Sequence, residues 1–370
     1  MPSKFRRIIF RKKPQKQDSK NTSRIAALEN EPPQSTADSK PQSRRSSITI
    51  ETATTPSVQQ TTAVPPATSQ SEQCAEGRVA ADLPTDSLGL NVLVARDNAV
   101  VDILFLHGLT GRRDTTWTAE RASEPWPKTL LSKDIVDARI ITYGYDANVV
   151  HWARPAGQNT VREHARNLIN DFTIVRRKTD SIGRPIIFVA HSLGGLVCQD
   201  ALLVCMNPSE EYQRDILSST RGVAFLGTPH AGSDFQKFAS AVADIISLCQ
   251  VKEPNKNILK VLNSHSEVLA NVKDGFLTMV RTRIMESHLP TIRLHTFVEE
   301  LPITALGHRV VTPDSAMIPG YNSTTIPANH KDMTKFATKS DSGYQRVSGI
   351  LEGWISELRF IGGTVPAKVT

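Results

Sequence analysis

The stretch that decides the fold is PIIFVAHSLGGLVCQDAL, residues 185–202. A run of apolar residues leads into His191-Ser192-Leu193-Gly194-Gly195, and an apolar segment with helical periodicity follows it. A serine on a sharp turn from strand to helix projects its hydroxyl into the cleft above a sheet, as in a nucleophile elbow. The alternative is an ordinary turn serine. We interpret Ser192 as the candidate nucleophile.

The elbow pattern is usually Gly-x-Ser-x-Gly, and Ala190 stands here where the first glycine is expected. The residues two before and two after the serine are expected to crowd each other, which favours small side chains at both. Alanine adds one methyl group and keeps the position small. We therefore expect Ala190 to be a tolerated variant that leaves the role of Ser192 unchanged.

Further short apolar runs lie on both sides of this stretch. They are VDILFLHG (101–108), ARIITYGYDA (138–147), RGVAFLGTPH (221–230), TIRLHTFVEE (291–300) and HRVVTPDSA (308–316). Runs of this composition are typical of parallel strands that are covered on both faces. Helical periodicity lies between them at 160–175, across the insertion 234–288 and at about 344–360. The pattern predicts an α/β domain with a mostly parallel sheet, helices on both faces and helices inserted over one end of the sheet.

The first 80 residues differ from the rest of the chain. They carry 13 basic and 7 acidic side chains, whereas the remainder carries 31 and 30. Ser, Thr, Pro and Gln dominate this segment, which therefore holds too little apolar surface to offset the entropy of ordering it. We predict a disordered basic tail over 1–80 and one α/β domain over 81–370.

The start of this tail, residues 1–20, holds eight basic residues and one acid, Asp18. Phe5, Ile8 and Ile9 share one face of a short helix. Three interpretations remain open: an amphipathic mitochondrial presequence, a polybasic segment that contacts an anionic membrane surface, and a solvated run of charge. The predicted location is intracellular, at the mitochondrion or a membrane in the first two cases and in the cytoplasm otherwise.

Composition excludes several classes of protein. The near-neutral balance beyond residue 80 argues against a nucleic-acid partner. The four cysteines show neither a CxxC pair nor a zinc spacing, so we predict free thiols, a reducing compartment and no metal. The apolar runs are all shorter than about 18 residues, so no membrane-spanning helix is predicted. The cysteines are Cys74, Cys198, Cys205 and Cys249.

Ligands of open α/β sheets bind at the carboxyl ends of the strands, so polar residues that follow the strands are the site candidates. His107-Gly108 follows an early strand, where acyl-transfer enzymes of this architecture take an oxyanion donor. The backbone N–H groups of Leu109 and Leu193 are our candidates for the oxyanion hole.

A base and an acid should follow the nucleophile in the chain order serine, acid, histidine. His330 lies in a loop after the last predicted strand, whereas His308 precedes that strand and would face the wrong edge of the sheet. We therefore favour His330 as the base. Glu299 is the favoured acid at the end of its strand, and Glu300 and Asp314 remain alternatives.

Seven motifs occur in a characteristic order and spacing: FLHGLTG, TYGYDA, FVAHSLGGLV, AFLGTPHAGS, TFVEELP, VVTPDSA and NHKDMTKF. Over about residues 88–360 the chain resembles the lipase-like serine-active-site-containing family of α/β-hydrolases. It is also similar to the α/β-hydrolase domains of fungal receptor-like multidomain proteins and, more distantly, to GPI inositol-deacylases. The resemblance implies an α/β-hydrolase fold, with Ser192 as nucleophile, His330 as base and Glu299 as acid.

Two hypotheses of function follow. The first is a serine hydrolase that cleaves carboxylic esters through an acyl-enzyme without a metal or organic cofactor, and the resemblance implies lipid or phospholipid acyl esters as substrates. The second is a catalytically weak or inactive domain used for binding or signalling, because a fold alone does not fix a function. The basic residues 1–20 are compatible with peripheral membrane contact under either hypothesis.

Overall fold

The structure is a computed structural model, and it describes residues 87–147, 160–208, 210–230, 235–248, 266–286 and 288–361. Every structural statement below concerns these residues. The predicted tail 1–80, with Cys74, lies outside them, as do residues 249–265 of the predicted helical insertion, with Cys249.

Seven strands form one sheet in the order β1-β3-β2-β4-β5-β6-β7. The strands are β1 Gly89–Val94, β2 Val101–Leu106, β3 Ala138–Gly144, β4 Ile186–His191, β5 Thr220–Leu226, β6 Arg293–Glu299 and β7 Asn322–Ile326. All neighbouring pairs are parallel except β1 with β3. This order, with a serine directly after the central strand β4, is that of the α/β-hydrolase fold, as the sequence predicted.

Helices cover both faces of the sheet. They are α1 Ser132–Asp134, α2 Thr160–Lys178, α3 Leu193–Val204, α4 Glu211–Ser219, α5 Phe235–Leu248, α6 Ser266–Met285, α7 Pro313–Ala316 and α8 Ser342–Ile361. The bounds of α2 and α8 confirm the helices that the periodicity predicted at 160–175 and 344–360.

The alternation of side chains along the strands creates two apolar layers. Leu104, Phe188 and Ala190 face the layer that α2, α3, α4 and α6 cover. Ile103 and Val189 face the opposite layer, which α8 and the segment around Trp117 and Trp126 cover. Because β2 and β4 are buried on both faces, their sequences read as continuous apolar runs.

The two described helices of the predicted insertion, α5 and α6, pack in different places. Phe276 and Val280 of α6 belong to the core layer on the sheet face, so this helix is part of the main fold. Phe238, Ala239 and Val242 of α5 pack instead on a smaller cluster at the carboxyl end of the sheet. Helix α5 therefore lies over one end of the sheet, where the inserted helices were expected.

The prediction of a strand over 308–316 is wrong. The N–H groups of Val310 and Val311 donate to a side-chain oxygen of Glu299 and so are not available to a strand ladder. Thr312 then caps the short helix α7, which Pro313 begins. The final strand is β7, and it leaves no apolar run in the sequence because its polar residues NSTTI lie at an exposed edge. The sequence pattern predicts neither β7 nor the antiparallel edge strand β1.

Candidate active site

The carboxyl ends of the parallel strands meet at one edge of the sheet and bring four segments together. His107 follows β2, Ser192 follows β4, Gly227 follows β5, and Glu299 ends β6. The strands β2, β4, β5 and β6 are successive neighbours in the sheet. Residues separated by up to about 190 positions in sequence therefore lie along one short edge, where ligands of such sheets bind.

Ser192 occupies a strained turn between β4 and α3. Its backbone angles are φ 53° and ψ −125°, a region that non-glycine residues rarely adopt and that costs about 1–3 kcal/mol. Its N–H donates to the carbonyl of Leu226 at 2.9 Å, and its own carbonyl accepts from Gly195 at 3.0 Å. These two bonds hold the turn, and the geometry matches the elbow predicted from the sequence.

Close approach of β2 explains the glycines around Ser192. A Cβ atom added to Gly194 would lie 2.3 Å from the carbonyl oxygen of His107, and one added to Gly108 would lie 2.6 Å from the Cβ of Ser192. Ala190 is not among the nearest neighbours of either position, and its methyl group is fully buried in the core. The closest contacts at the elbow are therefore between the end of β2 and the turn that carries Ser192.

Three side chains form a continuous hydrogen-bonded chain. The Oγ atom of Ser192 lies 3.0 Å from Nε2 of His330, and Nδ1 of His330 lies 2.5 Å from Oε2 of Glu299. All three residues are buried. The other carboxylate oxygen, Oε1 of Glu299, accepts the N–H groups of Val310 at 2.6 Å and Val311 at 3.2 Å. Both oxygens of Glu299 are thus used, which fixes the orientation of the imidazole behind Ser192.

The alternative candidates lie elsewhere. Glu300 lies directly after the end of β6, and its carboxylate pairs with Arg346 of α8 at 3.4 Å. Asp314 is exposed on the short helix α7. His308 is exposed and lies 3.8 Å from Asp244. None of these three has a hydrogen bond to Ser192 or His330 among the described residues.

His191 is a supporting residue that sequence reasoning did not identify. Its Nε2 donates to the backbone carbonyl of His330 at 2.9 Å, and the two rings pack with centroids 4.8 Å apart. Burial, and then the nearby His330 side chain, hold the pKa of His191 well below its usual range, so the ring is neutral. This bond ties the backbone of His330 to the end of β4, directly before Ser192. Nothing in the local sequence around His191 indicates this role.

The segment after β2 is also fixed by a buried histidine. His107 donates from Nδ1 to the carbonyl of Gly108 at 2.9 Å and accepts the N–H of Tyr145 at 3.2 Å. The ring stacks on that of Tyr145, whose hydroxyl donates to the carbonyl of His107 at 2.8 Å. Burial lowers the pKa of His107 to about 4, which keeps the ring neutral. These contacts hold the start of the Gly108–Gly111 loop.

The two N–H groups considered for the oxyanion hole lie beside Ser192. Leu193 is the first residue of α3, and the first N–H groups of a helix have no partner within it. Leu109 follows Gly108, whose Cα approaches the Cβ of Ser192, and it lines the same cavity as Ser192. The role of these two N–H groups in an oxyanion hole stays a prediction.

A cavity of about 210 Å³ opens over these groups. Its lining includes Ser192 and His330, apolar side chains from α5 and from the segment after β6, and threonines from the loop after β2. Within the described ranges, no group of three metal-ligating side chains comes together. No helix in the described part of the chain is long and apolar enough to cross a membrane.

Comparison with known proteins finds relatives over part of the chain. Protein SERAC1 from Bos taurus is 28% identical over 267 residues, which cover 66% of this chain and 38% of the relative. Protein SERAC1 from Homo sapiens is 27% identical over the same shares. The match thus spans less than half the length of these curated relatives. No family model matches the chain.

Solved structures with similar folds include two esterase-related proteins. A lipase-esterase related protein from Clostridium acetobutylicum ATCC 824 is 12% identical, with a TM-score of 0.39, covering 72% of this chain and 99% of that one. The esterase RhEst1 from Rhodococcus sp. ECU1013 is 15% identical, with a TM-score of 0.39, covering 73% and 94%. The fold assignment rests on the strand order and on the elbow described above.

Proposed function

We propose that this protein is a serine hydrolase that cleaves carboxylic esters through an acyl-enzyme. The observation that carries the proposal is the buried chain from Ser192 Oγ through His330 to Glu299. A buried carboxylate, an imidazole and a hydroxyl in this order are the groups that serine hydrolases of unrelated folds use. An ordinary turn serine has no need of such partners.

In the proposed reaction, Oγ of Ser192 attacks the ester carbonyl and gives its proton to Nε2 of His330. Glu299 accepts the hydrogen bond from Nδ1 and stabilises the imidazolium. The tetrahedral oxyanion accepts hydrogen bonds from the N–H groups of Leu193 and Leu109. His330 then protonates the leaving alkoxide as the C–O bond breaks. A water molecule, deprotonated by His330, attacks the acyl-enzyme and releases the acid together with the free Ser192.

The proposed substrates are acyl esters of lipids or phospholipids. The apolar side chains of Val242, Ile303 and Val310 line the cavity beside Ser192 and offer a surface for an acyl chain. Apolar lining with a few polar groups at the reacting atoms is typical of sites that bind such molecules. The family resemblance carried by the seven motifs supports the same class.

A fluorophosphonate probe tests the nucleophile directly. We expect the wild-type protein to be labelled and Ser192→Ala to remain unlabelled. Ser218→Ala is the matched control, since this exposed hydroxyl bonds only the carbonyl of Asp215 among the described residues, and it should label like the wild type. Equal labelling of wild type and Ser192→Ala would exclude Ser192 as the nucleophile. A wild-type protein that is folded but neither labels nor hydrolyses any acyl ester would favour the binding or signalling hypothesis.

The role of the N-terminal segment is a separate proposal. Residues 1–20 are basic enough to address the protein to mitochondria or to an anionic membrane surface. Fusing residues 1–80 to a fluorescent protein distinguishes the two proposals. A mitochondrial presequence predicts fluorescence inside mitochondria. A membrane-binding segment predicts fluorescence at a membrane surface, which substitution of its basic residues by neutral ones should abolish. A diffuse signal in the cytosol would exclude both.

A further inference from the structure

Residues 227–230, with the sequence GTPH, directly follow β5, and all four are buried. Strand β5 lies between β4, which leads into Ser192, and β6, which ends at Glu299. The segment 227–230 therefore leaves the sheet between the nucleophile and the acid. None of its four residues lines the cavity over Ser192. An influence of this segment on the reaction must therefore act through the positions of other groups.

Gly227 lies against the ring of His330. A Cβ atom added to Gly227 would lie 3.0 Å from both Cε1 and Nδ1 of that ring, and 3.0 Å from the sulfur of Met333. The φ angle of Gly227 is +55°, which glycine adopts without the cost that a side chain would add. Its N–H donates to the carbonyl of Phe297 in β6 at 2.9 Å, so the next strand holds this backbone in place. The imidazole thus lies against a fixed backbone that carries no side chain.

Thr228 packs on the first turn of α3. A Cβ atom added to Gly195 would lie 2.2 Å from Oγ1 and 2.4 Å from Cγ2 of Thr228, so the threonine lies directly against the helix backbone. The N–H of Gly195 donates to the carbonyl of Ser192 at 3.0 Å and closes the turn that carries the nucleophile. Thr228 is therefore in contact with the backbone that holds Ser192 in place.

His230 contacts the same helix one turn further on. The side-chain amide of Gln199 in α3 donates to Nδ1 of His230 at 3.1 Å. The ring packs edge-on against Phe225 of β5, with centroids 4.8 Å apart. Burial, and then the nearby charge of Lys273, lower the pKa of His230 to about 3, so the ring is neutral and Nδ1 can accept this bond. The contact ties α3 to the end of β5.

The backbone of His230 continues the connection toward the acid. Its N–H donates to the carbonyl of Ser315 in α7 at 2.6 Å, and the N–H of Ser315 donates to Oγ1 of Thr312 at 3.3 Å. Thr312 directly follows Val311, whose N–H donates to Oε1 of Glu299 at 3.2 Å. His230 thus joins α3 to the segment that binds the carboxylate of Glu299.

We propose that segment 227–230 positions the nucleophile, the base and the acid relative to one another, with Gly227 and His230 as its two positioning residues. Gly227 sets how closely the ring of His330 approaches β5, and His230 sets the distance between α3 and the segment that binds Glu299. The assignment rests on the proposed function, since that function makes these groups the reacting ones. Because the segment does not line the cavity, substitutions in it should lower kcat and leave KM nearly unchanged.

Gly227→Ala and Gly320→Ala test the contact with His330 as a matched pair. Both glycines have a positive φ, +55° and +86°, so alanine strains the backbone at each. Of the two, only Gly227 would place the added Cβ within 4 Å of other atoms. On a soluble short-chain ester we expect kcat of Gly227→Ala to fall about tenfold, with KM within about twofold, because even a sub-ångström displacement of a reacting group slows the reaction. Gly320→Ala should keep the kcat of the wild type, and equal kcat values for the two variants would overturn the proposal.

The contact of His230 with Gln199 is tested by removing one partner and then both. His230→Leu leaves the buried amide of Gln199 without this partner, so stability should fall, and kcat should fall about tenfold. The double variant H230L/Q199L removes both polar groups, and it should regain much of the stability but keep the reduced kcat. His230→Asn places an amide oxygen near the position of Nδ1 and should retain more of kcat than His230→Leu. Recovery of kcat together with stability in the double variant would overturn the positioning role, because the pair would then only stabilise the fold.

A proton resonance separates this proposal from that of the reaction. The Nδ1–H group of His330 donates to Oε2 of Glu299 at 2.5 Å, and a proton in such a short charged hydrogen bond resonates far downfield of the backbone amides. The resonance is assigned by its loss in His330→Gln, and no substrate is needed. We expect Gly227→Ala to shift this resonance and Gly320→Ala to leave it unchanged. An unchanged resonance in Gly227→Ala would overturn the proposal, whatever the activity. A shifted resonance in a protein whose wild type hydrolyses no ester would support the positioning role and contradict the proposed function alone.

Discussion

The Nε2 atom of His330 lies 3.0 Å from the Oγ atom of Ser192, although the two residues are 138 positions apart. Two other contacts hold the histidine in this place. Glu299 binds its Nδ1 atom, and His191 binds its backbone carbonyl. Because each contact comes from a different residue, single substitutions can remove one without disturbing the others.

Exchange of Glu299 for Gln should abolish most of the activity. The amide cannot stabilise the imidazolium as the carboxylate does, and the corresponding change in a serine protease lowers kcat by about 10⁴-fold. We expect a fall in kcat on a soluble short-chain ester of about that order, with unchanged circular dichroism. Glu300→Gln is the control, because Glu300 pairs with Arg346 at the protein surface. A larger loss for Glu300→Gln than for Glu299→Gln would contradict the assignment.

Gly108→Ala should disturb the turn at Ser192, because Gly108 follows the neighbouring strand β2 and lies against this turn. The added methyl group would lie 2.6 Å from the Cβ of Ser192, so the turn or the loop must move. We expect about 1–3 kcal/mol lower stability and about 100-fold lower kcat/KM, because displacement of a reacting group by about 1 Å has that effect. Gly353→Ala in α8 is the control. Its Cβ meets no atom within 4 Å, and in a helix it should raise stability by about 0.5–1 kcal/mol. Full activity of Gly108→Ala would show that the two segments do not need this close approach.

Ala190→Gly restores the usual glycine of the elbow pattern, and we expect no gain in activity from it. The methyl group is fully buried in the core, and no atom of Ala190 is among the three nearest to a Cβ added at Gly194. Its removal, together with the added freedom of the unfolded chain, should lower stability by about 1–2 kcal/mol. Urea unfolding measures the stability, and ester hydrolysis should stay within about threefold of the wild type. An increase in both quantities would show that alanine strains the turn.

Stability should fall in mild acid because of His107. Burial lowers its pKa from 6.5 to about 4, so between these values the unfolded state binds a proton that the folded state excludes. This contribution to stability is complete above pH 6.5 and is lost as the pH falls toward 4. Between pH 7 and pH 5 the wild type should lose about 2 kcal/mol more than His107→Gln, whose side chain does not titrate. Urea titrations at pH 7 and pH 5 give the loss of unfolding free energy for each protein. An equal loss in the wild type and in His107→Gln would contradict the prediction.

Much of the fold could be predicted because the central strands are buried on both faces and leave continuous apolar runs in the sequence. This explains why β2, β4 and β5 were identified, whereas the exposed edge strands β1 and β7 were not. The segment 308–316 has the sequence pattern of a strand because Val310 and Val311 are β-branched and apolar. Their N–H groups serve the carboxylate of Glu299 instead, and that contact has no signature in local sequence.

By itself, the sequence determined the α/β order of elements, the elbow at Ser192 and the short set of acids and bases that could follow it. These features are local, since apolar periodicity and small residues at a turn act over a few positions. Only the tertiary structure showed that the carboxylate of Glu299, and not that of Glu300 or Asp314, contacts His330, and that His191 lies behind His330. Hydrogen bonds and charges act over a few ångströms in space, and the chain brings such groups together from positions that are far apart in sequence.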